Sequence, residues 1–347
     1  MAYLSAQDDE LEVFRAIILY GQNTASYKFA LGKSLIELSR EGKSFVGLDE
    51  LAKPFSQHII EHIKAGQRQT VTASSKFLYG CQLFIDGKID EDELIDVTKK
   101  FGFKYVIDAF PRLKINFENQ PIFYHKVIRG TKGIELTDSL HEVARKEQSK
   151  NLMQEIEGRW NLVETSWTEQ NPDLLIKYDD VDEIFVSFTQ QSDRSFLDSH
   201  LRRPVTKARK PLSGYQKGKC FFCYDGISIE SNRANTAQVD HFFPISLQSR
   251  VPTDLHLNLN DIWNLVLTCK NCNNSKSYRT PHIEFLYNLE RRNNYYIHSK
   301  PPLGDTIKRL TGETHRERNN YLKAMFSIAK DASPFEWSPK TIKGLPF

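Results

Sequence analysis

Cys220-Phe221-Phe222-Cys223 and, 45 residues further on, Cys269-Lys270-Asn271-Cys272 are the stretches on which the fold of this chain turns. A C-x2-C turn places two thiolates on one side of a tight loop, and two such turns complete a tetrahedral four-cysteine site for Zn2+. Redox chemistry at one C-x2-C would not need the second pair. The opening residues, MAYLSAQDDELEV, have neither a basic segment nor an apolar run of the kind that directs secretion. A reducing, cytoplasmic location is therefore expected, and disulfides between these cysteines are disfavoured. The fifth cysteine, Cys81, sits in an apolar stretch and is expected to be a small buried hydrophobe.

Working outward, the chain of 347 residues is long enough for two domains of about 150 residues each. With 39% hydrophobic, 12% aromatic and 26% charged residues it is neither a disordered chain nor a collagen-like fibre nor a disulfide-stapled miniature. No run of about 18 apolar residues is present, so no membrane partner is expected. The net charge of +3 averages two unlike parts. Residues 1–200 carry 24 Lys and Arg against 32 Asp and Glu, a net of −8; residues 201–347 carry 23 against 12, a net of +11. Such an asymmetry points to different partners, with nucleic acid the candidate for the basic part. From Arg202 to Lys219 there are seven cationic residues and no acid, with Pro204, Pro211 and Gly214 among them. That segment reads as a linker or a phosphate-binding arm, with Lys207, Arg209, Lys210, Lys217 and Lys219 as the candidate nucleic-acid contacts. The boundary falls near residue 200, leaving 1–200 as a domain without an assigned role.

The first 110 residues have helical texture. Leu11, Phe14, Ile17 and Ile18 form a helix-period stripe after a capping pattern at Ser5 and Asp8. A second helix is expected from Asn23 or Thr24 to about Arg40, with Gly42 beyond its end. Further helices are expected over 48–65, 74–84 and 90–100. Residues 122–128 and 133–137 flank a glycine-containing turn as in a hairpin. One long helix is expected from Asp138 to Trp167, a strand pair around Asp179-Asp180, and helices over 282–295 and 313–330.

Between and beside the cysteine pairs lie Val239-Asp240-His241-Phe242-Phe243-Pro244, then Trp263-Asn264-Leu265-Val266-Leu267-Thr268, then Asn273-Asn274-Ser275-Lys276 directly after Cys272. They read as strand, loop, strand and short helix, with a zinc clamp at both ends. In this order the segment 215–280 resembles the HNH endonucleases, also called His-Me finger or ββα-metal nucleases, of bacterial and phage type. The resemblance implies a small zinc-braced ββα-metal domain; with the helical patterns on either side of it, an α+β chain is expected, a mainly helical N-terminal domain before it and C-terminal helices after it. It implies phosphodiester hydrolysis with His241 as the base that takes a proton from water. One Mg2+ or Mn2+ would be held by Asp240 and Asn273, where many relatives carry histidine in the second place. A carboxylate and an amide oxygen suit a hard cation. Asn264 would pin the loop that orients the histidine, and Lys276 would face the phosphate. The residues between His241 and Asn264, 22 in number, exceed those of compact relatives, so 246–261 is either a longer loop or an element that touches substrate.

These readings converge on a metal-dependent DNA endonuclease or nickase, with restriction or phage defence as its setting. The competing readings are a zinc-ribbon module that binds nucleic acid without cutting it, and a nuclease directed at RNA. The acidic half is a candidate surface for a protein partner or for self-association.

Overall fold

The computed structural model describes residues 3–5, 8–22, 24–72, 74–113, 120–169, 174–179, 183–188, 203–206, 208–230, 233–250, 258–299, 301–333 and 335–347. It is a mixed α+β structure whose N-terminal part is helical. The chain divides into two compact units, residues 2–170 and 171–347.

In the first unit the helices are α1 (Glu10–Tyr20), α2 (Tyr27–Arg40), α3 (Leu48–Lys64), α4 (Lys76–Ile85), α5 (Glu91–Val97), α6 (Phe103–Ala109), α7 (Asp138–Arg145) and α8 (Ser149–Glu169). The stripe Leu11, Phe14, Ile17 and Ile18 is buried as its period requires. The cap of α1 is Asp9, whose carboxylate accepts from the amides of Leu11 and Glu12, while Asp8 instead accepts from the Ser5 amide. Helix α2 starts after Ser26 and stops before Gly42, which turns the chain at φ 77°. Asp90 and Glu93 form a full capping box on α5, and a π-helical turn over Thr98–Gly102 carries that helix into α6. Cys81 on α4 is fully buried, and burial pushes its thiol up to about 12.

The expected hairpin is present as β2 (Tyr124–Val127) and β3 (Gly133–Leu136), with β1 (Phe45–Gly47) adding on the other side of β3. A side chain at Gly133 would run into the Val46 carbonyl, so this close approach requires glycine. The helix expected from Asp138 to Trp167 is two helices. Lys146 leaves the helical region at ψ 139°, and the buried Ser149 hydroxyl donates to the Ala144 carbonyl at 2.9 Å. A side chain thus satisfies a carbonyl at the end of α7, and the chain turns.

In the second unit the strand pair expected around Asp179 is β4 (Leu174–Asp179) and β5 (Glu183–Phe188), and β6 (Arg203–Thr206) extends the antiparallel sheet. The basic segment expected as a linker or arm is ordered where described. It supplies β6 and then α9 (Arg209–Tyr215), which buries Leu212 and Tyr215. Strands β7 (Gln238–His241) and β8 (Leu265–Thr268) pair antiparallel, and α10 (Lys270–Lys276) follows. The remainder is β9 (Thr280–Pro281), α11 (Ile283–His298), α12 (Leu303–Thr311), α13 (His315–Ala332) and β10 (Glu336–Trp337), the last paired parallel with β9. Thr314 and Glu317 cap α13 reciprocally.

The sequence places a boundary near residue 200, whereas the compact units meet at 170/171. Strand pairing is the reason: β4 and β5 belong with β6, and the Ile176 amide donates to the Thr306 hydroxyl at 3.1 Å. The charge contrast shrinks accordingly. Residues 2–170 carry 22 cationic against 25 acidic residues, and 171–347 carry 25 against 19. Among the described residues no helix is long and apolar enough to cross a membrane.

Candidate active site and metal centre

The two cysteine turns meet. The sulfurs of Cys220, Cys223, Cys269 and Cys272 all lie within 4.8 Å of one another, and those of Cys223 and Cys269 are 3.8 Å apart. Zinc–sulfur bonds of about 2.3 Å in a tetrahedron separate sulfurs by about 3.8 Å, so the cluster has the size of a zinc site. The Cys269 amide donates to the Cys220 sulfur at 3.3 Å, and the Cys272 amide to the Cys269 sulfur at 3.5 Å. Donors aimed at sulfur favour the thiolate that binds metal. The first turn is fastened to β8 by the Phe221 amide, which donates to the Leu267 carbonyl. The buried Gln216 side chain completes the attachment. It donates to the Leu267 carbonyl and accepts from the Leu267 amide, both at 2.9 Å, in place of a third strand. Phe222 packs beside Phe242, Phe285 and Trp337, which ties the knuckle to the helical part of the unit.

Asp240 and His241 end β7, opposite Val266 and Leu265. Beyond them Phe242 and Phe243 are buried. Asn264, fully buried, staples this turn. Its Oδ1 accepts from the Phe243 amide at 2.8 Å, its Nδ2 donates to the carbonyls of Phe243 and Leu259 at 2.9 Å, and its own carbonyl accepts from the Phe242 amide at 2.7 Å.

The imidazole itself is held by a residue that the sequence did not single out. His241 Nε2 lies 2.8 Å from Asn260 Oδ1, which as a carbonyl oxygen can only accept. The shared proton therefore sits on Nε2, and in the neutral ring Nδ1 is the proton acceptor. Asn260 is fixed in turn, since its amide donates to Asn258 Oδ1 at 2.9 Å and the Leu259 amide donates to Gln248 Oε1 at 2.7 Å. The long segment between His241 and Asn264 thus supplies the histidine's partner, with a 3-10 turn over Ile245–Arg250 bracing it. Tyr178 of β4 stands edge-on to the imidazole at 6.4 Å between ring centres.

Lys276 was expected to face the phosphate, and its ammonium instead points inward. It is fully buried, 3.1 Å from Asp240 Oδ2 and 3.3 Å from Oδ1, and donates to the His241 carbonyl at 2.7 Å. Burial raises the Asp240 carboxyl and lowers the Lys276 ammonium, and each charge partly opposes the shift of the other. Asn273, also on α10, donates through Nδ2 to Gln238 Oε1 at 2.9 Å, which leaves its Oδ1 as an acceptor. Asp240 Oδ2 is buried and, among the described residues, has no hydrogen-bond partner of good geometry despite the nearby ammonium. A buried carboxylate oxygen left in this way, with an amide oxygen on α10, fits a hard divalent cation.

Of the basic candidates, Lys207 lies outside the described residues. Lys217 is buried in a left-handed turn at φ 51°, and the Lys219 ammonium reaches the Leu345 carbonyl at 3.3 Å. Arg209 and Lys210 are half-buried on α9. Asp261, beside Asn260, was not anticipated either. Burial pushes its carboxyl up to about 7 against the attraction of Lys177.

A hairpin followed by a short helix, a histidine at the end of the first strand and a four-cysteine clamp define a zinc-braced ββα-metal site. Residues 220–282 match the family model of the HNH endonucleases. A domain of this family takes nucleic acid as substrate and works with a divalent metal. Neither a curated protein nor a solved structure matches the chain.

Proposed function

We propose that this protein is a metal-dependent DNA endonuclease that hydrolyses phosphodiester bonds at His241. The observation that carries this reading is the hold on the imidazole: β7 ends at His241, and Asn260 Oδ1 accepts from Nε2–H at 2.8 Å. Pure binding of nucleic acid has no use for a histidine whose tautomer is set in this way. Nδ1 takes the proton from the attacking water, and Asn260 stabilises the imidazolium as it forms. Asp240 and Asn273 are the residues that would hold Mg2+ or Mn2+, which would supply positive charge to offset the negative charge developing on the phosphate. Lys276 keeps the buried Asp240 carboxylate ionised and positioned, so its role is on the ligand rather than on the substrate. Asn264 keeps the turn between base and ligand rigid.

The test is cleavage of supercoiled plasmid in Mg2+ or Mn2+ by the full chain and by His241→Ala. Loss of at least a hundredfold in rate is expected, with zinc content unchanged. Equal nicking by both proteins removes His241 from the chemistry. Structured RNA offered beside plasmid distinguishes a DNA-directed from an RNA-directed enzyme.

A further inference from the structure

A cleft of about 570 Å³ opens beside β7 within the second unit, lined among others by Tyr178, Arg209, Arg233, Gln238 and Lys270. Its cations come from three separate places in the chain: α9, the stretch before β7, and the first residue of α10. Among the described residues no Asp or Glu lines it. Among the described residues Glu230 bonds to its lining, 3.0 Å from the Arg233 guanidinium, which remains half exposed. Gln238 connects the cleft to the proposed metal ligand, since its Oε1 accepts from Asn273 Nδ2. Tyr178 connects it to the proposed base, standing edge-on to His241. Lys217, Lys276 and Arg292 are buried, and Arg292 donates to the Trp263 and Leu265 carbonyls.

We propose that this cleft seats the phosphate backbone of the strand being cut, with Arg209, Arg233 and Lys270 as its phosphate contacts. The inference rests on the DNA-cleaving reading and adds where the substrate lies. Two guanidiniums suit paired contacts with phosphate oxygens, and an ammonium acts as a point charge. Contacts of this kind set position and register and carry no base sequence. Arg233 would exchange Glu230 for phosphate, and the strand would reach His241 past the ring of Tyr178.

The experiment uses the full chain carrying His241→Ala, so that binding is read without cleavage, with a labelled 20-base-pair DNA duplex over 50–300 mM salt. Replacing Arg209, Arg233 and Lys270 together by Gln should make the slope of log affinity against log salt shallower by roughly 2 to 3 units, equally on unrelated sequences. The control replaces the exposed Arg316, Lys323 and Lys340 by Gln, removing the same charge elsewhere, and should leave the slope within about half a unit. Zinc stoichiometry and melting temperature confirm that both variants are folded. An unchanged slope in the cleft variant, or an equal change in the control, overturns the proposal. If the protein with His241 intact fails to nick plasmid while the cleft variant loses binding as expected, the cleavage reading falls and the cleft stands.

Discussion

Asn260 is the residue on which the chemistry proposed for His241 depends most directly, because the 2.8 Å contact decides which ring nitrogen carries the proton. Asn260→Ala should lower the nicking rate about 10- to 100-fold with duplex affinity within about twofold, since the base remains and only its orientation is freed. Asn260→Asp sets a carboxylate beside the imidazole and favours its charged form, so the acid limb of the pH–rate profile should move to higher pH. A profile that does not move would show that Asn260 is structural only. At this scale the sequence was informative in part. Asp240, His241, Asn264 and Asn273 were legible as a set because their types and order repeat a known pattern. Asn260 was not, because its tie to His241 crosses 19 positions and forms only when the intervening segment folds back. Lys276 was legible as part of the pattern but not in its direction. A family position does not fix a rotamer, and the nearest compensation for the ammonium proved to be the buried carboxylate of Asp240.

Elements are held by two different devices. In the second unit the four-cysteine cluster joins the turn at Cys220 to the start of α10, so zinc bound there would be part of folding. Cys220→Ser should reduce bound zinc below one per chain and abolish nicking, while α1 to α8 retain their protection from amide exchange; metal analysis with residue-resolved exchange reads both. In the first unit α3 and α8 are joined by buried charge. His62 stacks on Trp160 at 3.6 Å and bonds to Glu164 at 2.8 Å, with Glu157 at 3.4 Å. Burial alone would lower the His62 pKa, but the hydrogen bonds and charges of Glu157 and Glu164 outweigh it and raise the value to about 9. A raised folded value means that the stabilisation is complete below about 6.5, where the unfolded chain also holds the proton, and is lost as pH rises through 9. The α3–α8 amides should therefore lose roughly 3 kcal/mol of exchange stability between pH 6 and 10, a slope that His62→Gln flattens. An equal slope in the variant would place the pH dependence elsewhere. The apolar stripe of α1 was visible in sequence, whereas this ion cluster was not, since its members lie about a hundred positions apart.

For the whole molecule, charge and connectivity mark different boundaries. The basic composition begins near residue 200, but β5 before it pairs with β6 after it, and Tyr178 reaches His241. Residues 171–347 expressed alone should bind one zinc and nick plasmid, whereas residues 201–347, deprived of β4 and β5, should be unstable and inactive. Equal zinc content and activity in the two fragments would restore the boundary at 200. The first unit is without a chemical assignment, and a protein partner or self-association is still proposed for it. Its net charge is −3, against −8 for residues 1–200. By itself the sequence determined what depends on residue type at fixed spacing: the four-cysteine clamp, the strand and helix around it, the candidate base and ligand, and the helical stripes of the first 110 residues. Tertiary structure alone decided the tautomer of His241, the inward turn of Lys276, the boundary at 170/171 and the cleft beside β7. Those features arise from hydrogen bonds, strand pairing and burial between distant positions, and no local period or spacing encodes them.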